Sequence, residues 1–468
     1  MDSLVDEVRS RFGAKAAVTD RADLEPWLSD WRGRYHGEAA AILAPSSTDE
    51  VSAIVSLASE RRVPLVPQGG NTSMVGGATP PPDGSALILS LRRMNRLRSI
   101  SAEHNLAVAE AGVILADLHE QAGAVGRRFP LTLGARGSCT VGGLVSTNAG
   151  GTQVLRFGTM RSLVAGLEAV LSDGSIHNGL SGLKKDNRGY SLDQLLIGAE
   201  GTLGFVTAAA LRLVPPIYAR AVAWAGVRDP QAALALLREF ESKTDRIEGF
   251  ELIPGDSLAL VVNHIPGTRN PLSRGFAWNV LIEATSATSD LDPAELLQSL
   301  LADAFEAKLV EDAVVASSES QAEALWRMRD SISEAERAEG PSTAHDISVA
   351  VADMPRFLLE AKAAVESAFP GTVASAFGHL GDGNLHFHVR AGSRAAPDWH
   401  DREGPEITRF VDDLVTAARG SISAEHGIGQ MKRGELKRLA PPGDLAALRA
   451  IKQALDPLGI MNPGKLVG

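Results

Sequence analysis

The opening segment, MDSLVDEVRSRF, carries Leu4, Val5, Val8 and Phe12 at helical spacing, which predicts a short amphipathic helix. Short β runs follow at Ala40–Leu43, Leu65–Pro67, Ser85–Leu91, Leu106–Ala109 and Ala165–Leu171, separated by Gly- and Pro-rich turns. Between the first two, Val51, Ile54, Val55 and Leu57 mark a helix over about Ser47–Glu60, with Ser46 and Ser47 available as caps. The pattern predicts an α+β domain.

Val214-Pro-Pro-Ile217 interrupts this rhythm, and longer amphipathic segments take over. Strand-like runs at Ala221–Val227, Gly249–Ile253, Phe276–Glu283 and Ile347–Val351 alternate with helical ones. The best marked helix starts at Asp229-Pro230, a cap followed by proline in the first turn, and continues to about Lys243. A second α+β domain is expected, its sheet covered on one face by helices. A last helix, about Asp444–Leu455, leads into Met461-Asn-Pro-Gly-Lys465.

Composition narrows the classes. The 468 residues suffice for two or three domains, and a net charge of −11 with no concentrated basic stripe argues against a nucleic-acid face. The lone Cys139 excludes an intramolecular disulfide, a thiolate zinc cluster and an iron–sulfur centre carried by this chain. Asp2, Asp6 and Glu7 stand where a signal peptide needs a basic start, and no apolar run reaches the ~20 residues that span a bilayer. A cytoplasmic protein without a transmembrane segment is expected.

Glycine is concentrated: 15 of the 46 lie between residues 130 and 204. Three loops stand out, namely PQGGNTSMVGG from Pro67, LGARGSCTVGGLVSTNAGG from Leu133, and GAEGTLGFV from Gly198. Exposed amides in such loops form a nest for an anion. Neither a P-loop nor the G-x-G-x-x-G spacing is present. Any one loop taken singly reads as a structural turn, whereas three in one domain suit a long, bent, phosphate-bearing ligand.

These segments, with KKDNRGYSLDQLLIGAEGTLGFVT, resemble the FAD-binding domain of the vanillyl-alcohol-oxidase/para-cresol-methylhydroxylase flavoenzymes. The resemblance implies an α+β fold: a two-subdomain FAD-binding domain (1–215), an α+β substrate or cap domain with an antiparallel sheet (216–420), and a C-terminal helical segment (421–468) packing back on the flavin domain. It assigns the FAD pyrophosphate to Pro67, Gly69, Gly70, Asn71, Thr72, Ser73 and Gly77. The flavin and ribityl chain fall to Leu133, Gly134, Ser138, Gly142, Gly143, Asn148 and Gly150, and the adenine side to Glu200, Gly201, Gly204 and Val206. Asn462 is expected to be a further FAD contact. Covalent members carry a histidine where Asn71 stands, so FAD is expected to be non-covalent.

Four of the 11 histidines fall in two C-terminal strings, GHLGDGNLHFH from Gly378 and AEHG from Ala424. Asp382-Gly383 between alternating apolar runs predicts a two-residue hairpin turn. In that register His379 faces His386 directly, and His388 shares the face of His386. With Glu425 the two histidines would form an open two-histidine, one-carboxylate metal site. The alternative is an ordinary polar hairpin beside a solvated Glu-His pair.

GHLGDGNLH and SAEHGIG are similar to the D-2-hydroxyacid dehydrogenase branch of the same flavoenzymes, which includes enzymes for D-lactate, glycolate and D-2-hydroxyglutarate. The resemblance implies a divalent cation, commonly zinc, on His379, His386 and Glu425, with His426 as catalytic base contacting substrate. It implies substrate contacts at Arg329 and Ser333. Ala344 stands where related sequences have lysine, and His388 where they have asparagine, so His388 is the candidate to compensate. The expected reaction is metal-assisted oxidation of a D-2-hydroxyacid, foremost D-2-hydroxyglutarate, with D-lactate, glycolate and D-malate as competitors. A non-catalytic flavin-binding subunit is the alternative from another class. Electrons would leave to an external acceptor, an electron-transfer flavoprotein or a quinone, and a homodimer is the expected assembly.

Overall fold

The opening helix runs Asp2–Phe12 and buries Leu4, Val5 and Val8, as its apolar side predicts. The next marked helix, Thr48–Arg61, begins where Ser47 accepts a hydrogen bond from the Glu50 amide and ends with Arg62 in a left-handed conformation, φ 52°. In the second half, Pro230–Lys243 starts at the expected cap, Asp229, which accepts from the Ala232 amide. These local signals are satisfied within the chain itself, which is why they are readable without the tertiary structure.

The computed structural model describes residues 1–392 and 398–467. The chain forms two compact units: Met1–Gly151 with Phe157–Pro216 and Glu425–Gly468, and Thr152–Arg156 with Ile217–Ala424. The second is thus an insertion in the sequence of the first. Against the expected breaks after 215 and 420, the chain passes between units at 216/217 and 424/425, besides the brief excursion of Thr152–Arg156.

Unit 1 is built on two sheets. A four-stranded one orders Ala17–Val18, Ile42–Leu43, Leu87–Ser90 and Leu65–Gln68, the last three mutually parallel. A five-stranded antiparallel one orders Leu97–Ser101, Leu106–Glu110, Phe205–Arg212, Val164–Val170 and Ile176–Asn178. The Asp2–Phe12 and Thr48–Arg61 helices pack against the first through Leu4, Val8, Val51 and Ile54. Leu115–Ala124 and Val141–Ser146 cover the second. The segment after residue 425 returns to this unit, where Met461 bridges Leu65.

Unit 2 is a seven-stranded antiparallel sheet, ordered Asp312–Val315, Ala219–Val227, Trp278–Ser286, Ile247–Pro254, Val373–His379, Asn384–Arg390 and Ser342–Ser348. Contrary to expectation, helices cover both faces. Neighbouring residues of Ile247–Pro254 show this: Phe250 meets Phe240 of the Pro230–Lys243 helix edge-on at 6.3 Å, while Glu251 meets Arg329 of the Glu319–Asp330 helix. Successive strand residues point to opposite faces, so both are roofed. Every residue of that strand is buried, the pattern of a two-sided interior strand. The strand expected at Ile347–Val351 lies earlier, at Ser342–Ser348, because its register is set by pairing with Asn384–Arg390.

Candidate active site

In unit 1 the three glycine loops are brought to one place. A Cβ on Gly69 would stand 2.2 Å from Thr140 Oγ1, and one on Gly70 1.9 Å from the Ser138 carbonyl, so the first and second loops cross in backbone contact. A Cβ on Gly201 would stand 2.4 Å from Pro67 Cγ, bringing the third loop onto the first. Only glycine fits such approaches.

Asn462 ties the same junction. Its amide nitrogen donates to the carbonyls of Gly77, at 3.1 Å, and Glu200, at 2.7 Å. Asn71, Asn148, Glu200 and Asn462 all hold positive φ, between 46° and 53°. Such conformations are uncommon outside glycine and gather where surrounding structure enforces them. The Glu200 carboxylate accepts from the amides of Ile428 and Gly429, each at 2.7 Å, and burial pushes its pKa up. Its side chain therefore clamps the C-terminal segment.

The remaining expected cofactor residues take different places. Ser73 Oγ accepts from the Gly77 amide at 3.0 Å and shapes the first loop, in which Thr72 is half-buried. Leu133, Gly134 and Ser138 precede the Val141–Ser146 helix, where a Cβ on Gly142 would press on Ala111 at 2.7 Å while one on Gly143 would meet Thr140 Oγ1 at an ordinary 3.5 Å. Gly150 is buried just beyond. Gly204 packs on Leu196 and Val206 pairs with Ala169 in the five-stranded sheet, so interior packing accounts for both. Two buried oxygens at the loop junctions, Thr140 Oγ1 and Asn462 Oδ1, have no hydrogen-bond partner among the described residues. A cradle with spare buried polar atoms and glycine-lined crossings fits an extended nucleotide cofactor.

In unit 2 the histidine hairpin is real, but its register differs. His386 faces Phe377, not His379, and the connection is the four-residue Leu380–Gly383. The amides of Asp382 and Gly383 both donate to the His379 carbonyl, at 3.3 and 3.1 Å, so the chain makes one helical turn where a two-residue turn was expected. Gly383 closes it at φ 82°. A shift of two residues preserves the face of every side chain. His379 and His386 are therefore diagonal neighbours on one face, their ring centroids 5.6 Å apart. His388 shares that face: its ring and that of His386 both pack on Phe377, at 5.5 and 5.1 Å.

Behind His379 stands Glu251, 1% exposed, which the sequence reading did not single out. His379 Nδ1–H donates to Glu251 Oε1 at 2.6 Å, and Arg329 Nε–H to Oε2 at 2.7 Å. Burial alone would raise the Glu251 carboxyl, but Arg329 and His379 outweigh it and hold the group well below the usual carboxylate range. With Nδ1 committed, the lone pair of His379 lies on Nε2, where Arg329 Nη2 donates at 3.2 Å. Burial, with Arg329 and His379 nearby, keeps His386 neutral by lowering its pKa well below the ordinary value. A neutral His386 keeps a lone pair for a cation, and the hydrogen bond from Nδ1 to Glu251 orients the ring of His379.

The expected third ligand follows from the chain path. Ser421 pairs with Ser348, and the Ala424 amide donates to the Asp346 carbonyl at 3.4 Å, beside the strand that carries His386. Glu425 is the next residue. His379, His386 and Glu425 each offer one ligand atom, and these atoms all lie within 4.8 Å of one another. The donor set of two imidazoles and a carboxylate suits a borderline divalent cation with open positions. His426 comes immediately after and is half-buried. Arg329 ends its helix with its side chain 11% exposed, and half-buried Ser333 lies one turn on. Ala344 is the direct cross-strand partner of His388. Glu248 and Glu251 both interrupt the apolar run Ile247–Pro254, and that pattern alone does not tell which of them serves the site.

The model of the C-terminal domain of FAD linked oxidases matches residues 218–466, and an FAD binding domain matches residues 39–179. The mitochondrial D-2-hydroxyglutarate dehydrogenase of Arabidopsis thaliana is 37% identical over 97% of this chain and 80% of its own length. The D-2-hydroxyglutarate dehydrogenase of Xanthomonas citri pv. viticola is 35% identical over 96% and 93%. Among solved structures, p-cresol methylhydroxylase superposes with a TM-score of 0.75, covering 99% of this chain and 96% of that one at 15% identity, which shows a common fold. The chain belongs to the FAD-linked oxidases, in the D-2-hydroxyacid dehydrogenase branch that it shares with the D-2-hydroxyglutarate dehydrogenases.

Proposed function

We propose that this FAD-dependent dehydrogenase oxidises D-2-hydroxyglutarate to the 2-oxoacid with the help of a divalent cation and passes the electrons to an external acceptor, an electron-transfer flavoprotein or a quinone. The observation that carries the reading is the His379–His386–Glu425 cluster with Glu251 behind it. FAD, when bound, supplies the hydride acceptor; a cation on the cluster, zinc foremost, supplies Lewis acidity toward the hydroxyl and carboxylate oxygens.

The chain's own residues do the rest. His426 takes the hydroxyl proton, so the C2 hydrogen leaves as hydride. Arg329, fixed by Glu251, keeps a positive charge beside the histidine pair for the substrate carboxylate, and Ser333 adds a hydroxyl. His388, facing Ala344, is the candidate for the distal carboxylate that separates 2-hydroxyglutarate from D-lactate and glycolate.

Two results are expected. Mixed anaerobically with D-2-hydroxyglutarate, D-malate, D-lactate and glycolate, the metal-replete protein bleaches its flavin fastest with D-2-hydroxyglutarate. A protein that no D-2-hydroxyacid bleaches would sink the mechanism. Acid precipitation leaves the yellow colour in the supernatant, because Asn71 offers no attachment atom and burial pushes the Cys139 thiol up to about 11. A yellow pellet would show a covalent flavin.

A further inference from the structure

Unit 1 contains two deeply placed lysines, treated very differently. Lys452 Nζ donates to the carbonyls of Thr202 and Met461, each at 2.8 Å, and pairs with Asp456. Lys465 is 1% exposed, yet no hydrogen bond or ion pair reaches its Nζ among the described residues. A buried ammonium without a partner is strongly unfavourable.

Its surroundings deepen the problem. Arg433 lies close enough to repel it, its Nη1 being 3.6 Å from the Cβ position of Gly464, and has no ion-pair partner among the described residues. The nearby Glu200 carboxylate is occupied by two backbone amides. Burial first, then Arg433, lowers the Lys465 pKa to about 8, with Glu200 opposing.

The backbone nonetheless holds the residue in place. Asn462, Gly464 and Leu466 have φ of 46°, 75° and 56°. Asn462 is tied to Gly77 and Glu200, and the Leu466 amide donates to the Gly429 carbonyl at 3.0 Å. Gly429 in turn lies against Val75 of the first glycine loop. A cation is thus fixed, at the cost of strain, beside the loops of the cofactor cradle, with a second cation near it and, among the described residues, no carboxylate paired to either.

We propose that Lys465 is the counter-charge for bound FAD, meeting negative charge that the apoprotein does not supply. FAD carries such charge permanently on its diphosphate, and on the isoalloxazine ring after reduction. Lys465 also explains how a chain with net charge −11 attracts an anionic cofactor locally.

The test uses Lys465→Met, which keeps the length and removes the charge, with Lys465→Arg as the charge-retaining rescue. Wild type and variants are compared as apoprotein and as reconstituted holoprotein by thermal melting, FAD titration and flavin potentiometry. Apo K465M should melt no lower than wild type, because an unpaired buried charge is gone, whereas FAD should raise its melting point less. If the diphosphate is the partner, K465M binds FAD at least tenfold more weakly in both redox states, with an unchanged potential. If reduced flavin is the partner, the loss is confined to that state, and a tenfold loss lowers the two-electron potential by about 30 mV. K465R restores either property. Wild-type FAD affinity and potential in K465M, with or without a lowered apo melting point, overturn the proposal. Should K465M not fold, Lys465→Gln is measured against the same outcomes.

Discussion

Replacing His426 by alanine is expected to slow flavin reduction by roughly 10²–10⁴-fold, the usual contribution of a positioned general base. The loss should fall on the reductive half-reaction, read by anaerobic stopped flow at the flavin absorbance. FAD retention should be unaffected, because the cradle is tied by residues 67–77, 138–143, 200–201 and 462. Cation binding should persist too, since His379, His386 and Glu425 remain. A variant that reduces its flavin at the wild-type rate would remove His426 from the mechanism. Loss of bound FAD together with activity would recast it as a structural residue.

The second large effect is expected at Glu251. Exchange for glutamine keeps the shape but removes the buried carboxylate that Arg329 Nε–H and His379 Nδ1–H share, and breaking a buried ion pair costs about 3–5 kcal/mol. The same change loosens the tautomer control on His379, and loss of a carboxylate behind a ligating histidine weakens metal binding about 10–100-fold. Urea unfolding of the metal-free protein and calorimetric titration with zinc separate the two terms. Glu251→Asp should recover part of the affinity but not all of it, because the shorter side chain cannot meet both partners. Unchanged stability and unchanged zinc affinity in E251Q would remove Glu251 from both roles.

The sequence was legible wherever a residue's role is satisfied by its near neighbours or by its own backbone. Asp229 and Ser47 cap helices at the positions their spacing implies. The glycine loops announced backbone approaches, and Gly69, Gly70 and Gly201 make them. Asn71 and Asn148 stood out only as polar loop residues; their left-handed conformations appear once the loops are folded. Placement of the histidines survived an incorrect turn, since a slip of two residues leaves the facing of a strand unchanged. Glu251 was not legible, because its importance depends on lying next to the Val373–His379 strand and beneath Arg329, across 128 and 78 residues of sequence. For the same reason the roof on the second face of the large sheet went unseen: no local pattern tells a strand which helix will cover it.

The insertion of one unit within the other also orders events during synthesis. Residues 1–216 leave the ribosome first, but the hydrogen bonds from Asn462 that join Gly77 to Glu200, and the bridge from Met461 to Leu65, wait for about 250 further residues. At roughly 5–20 residues per second, that delay is on the order of ten to fifty seconds. Residues 217–424 meanwhile emerge as a continuous stretch able to complete a sheet of their own. The amino-terminal part must therefore remain soluble with its cradle unfinished, and a nascent chain halted before residue 425 has no closed site to offer the flavin nucleotide.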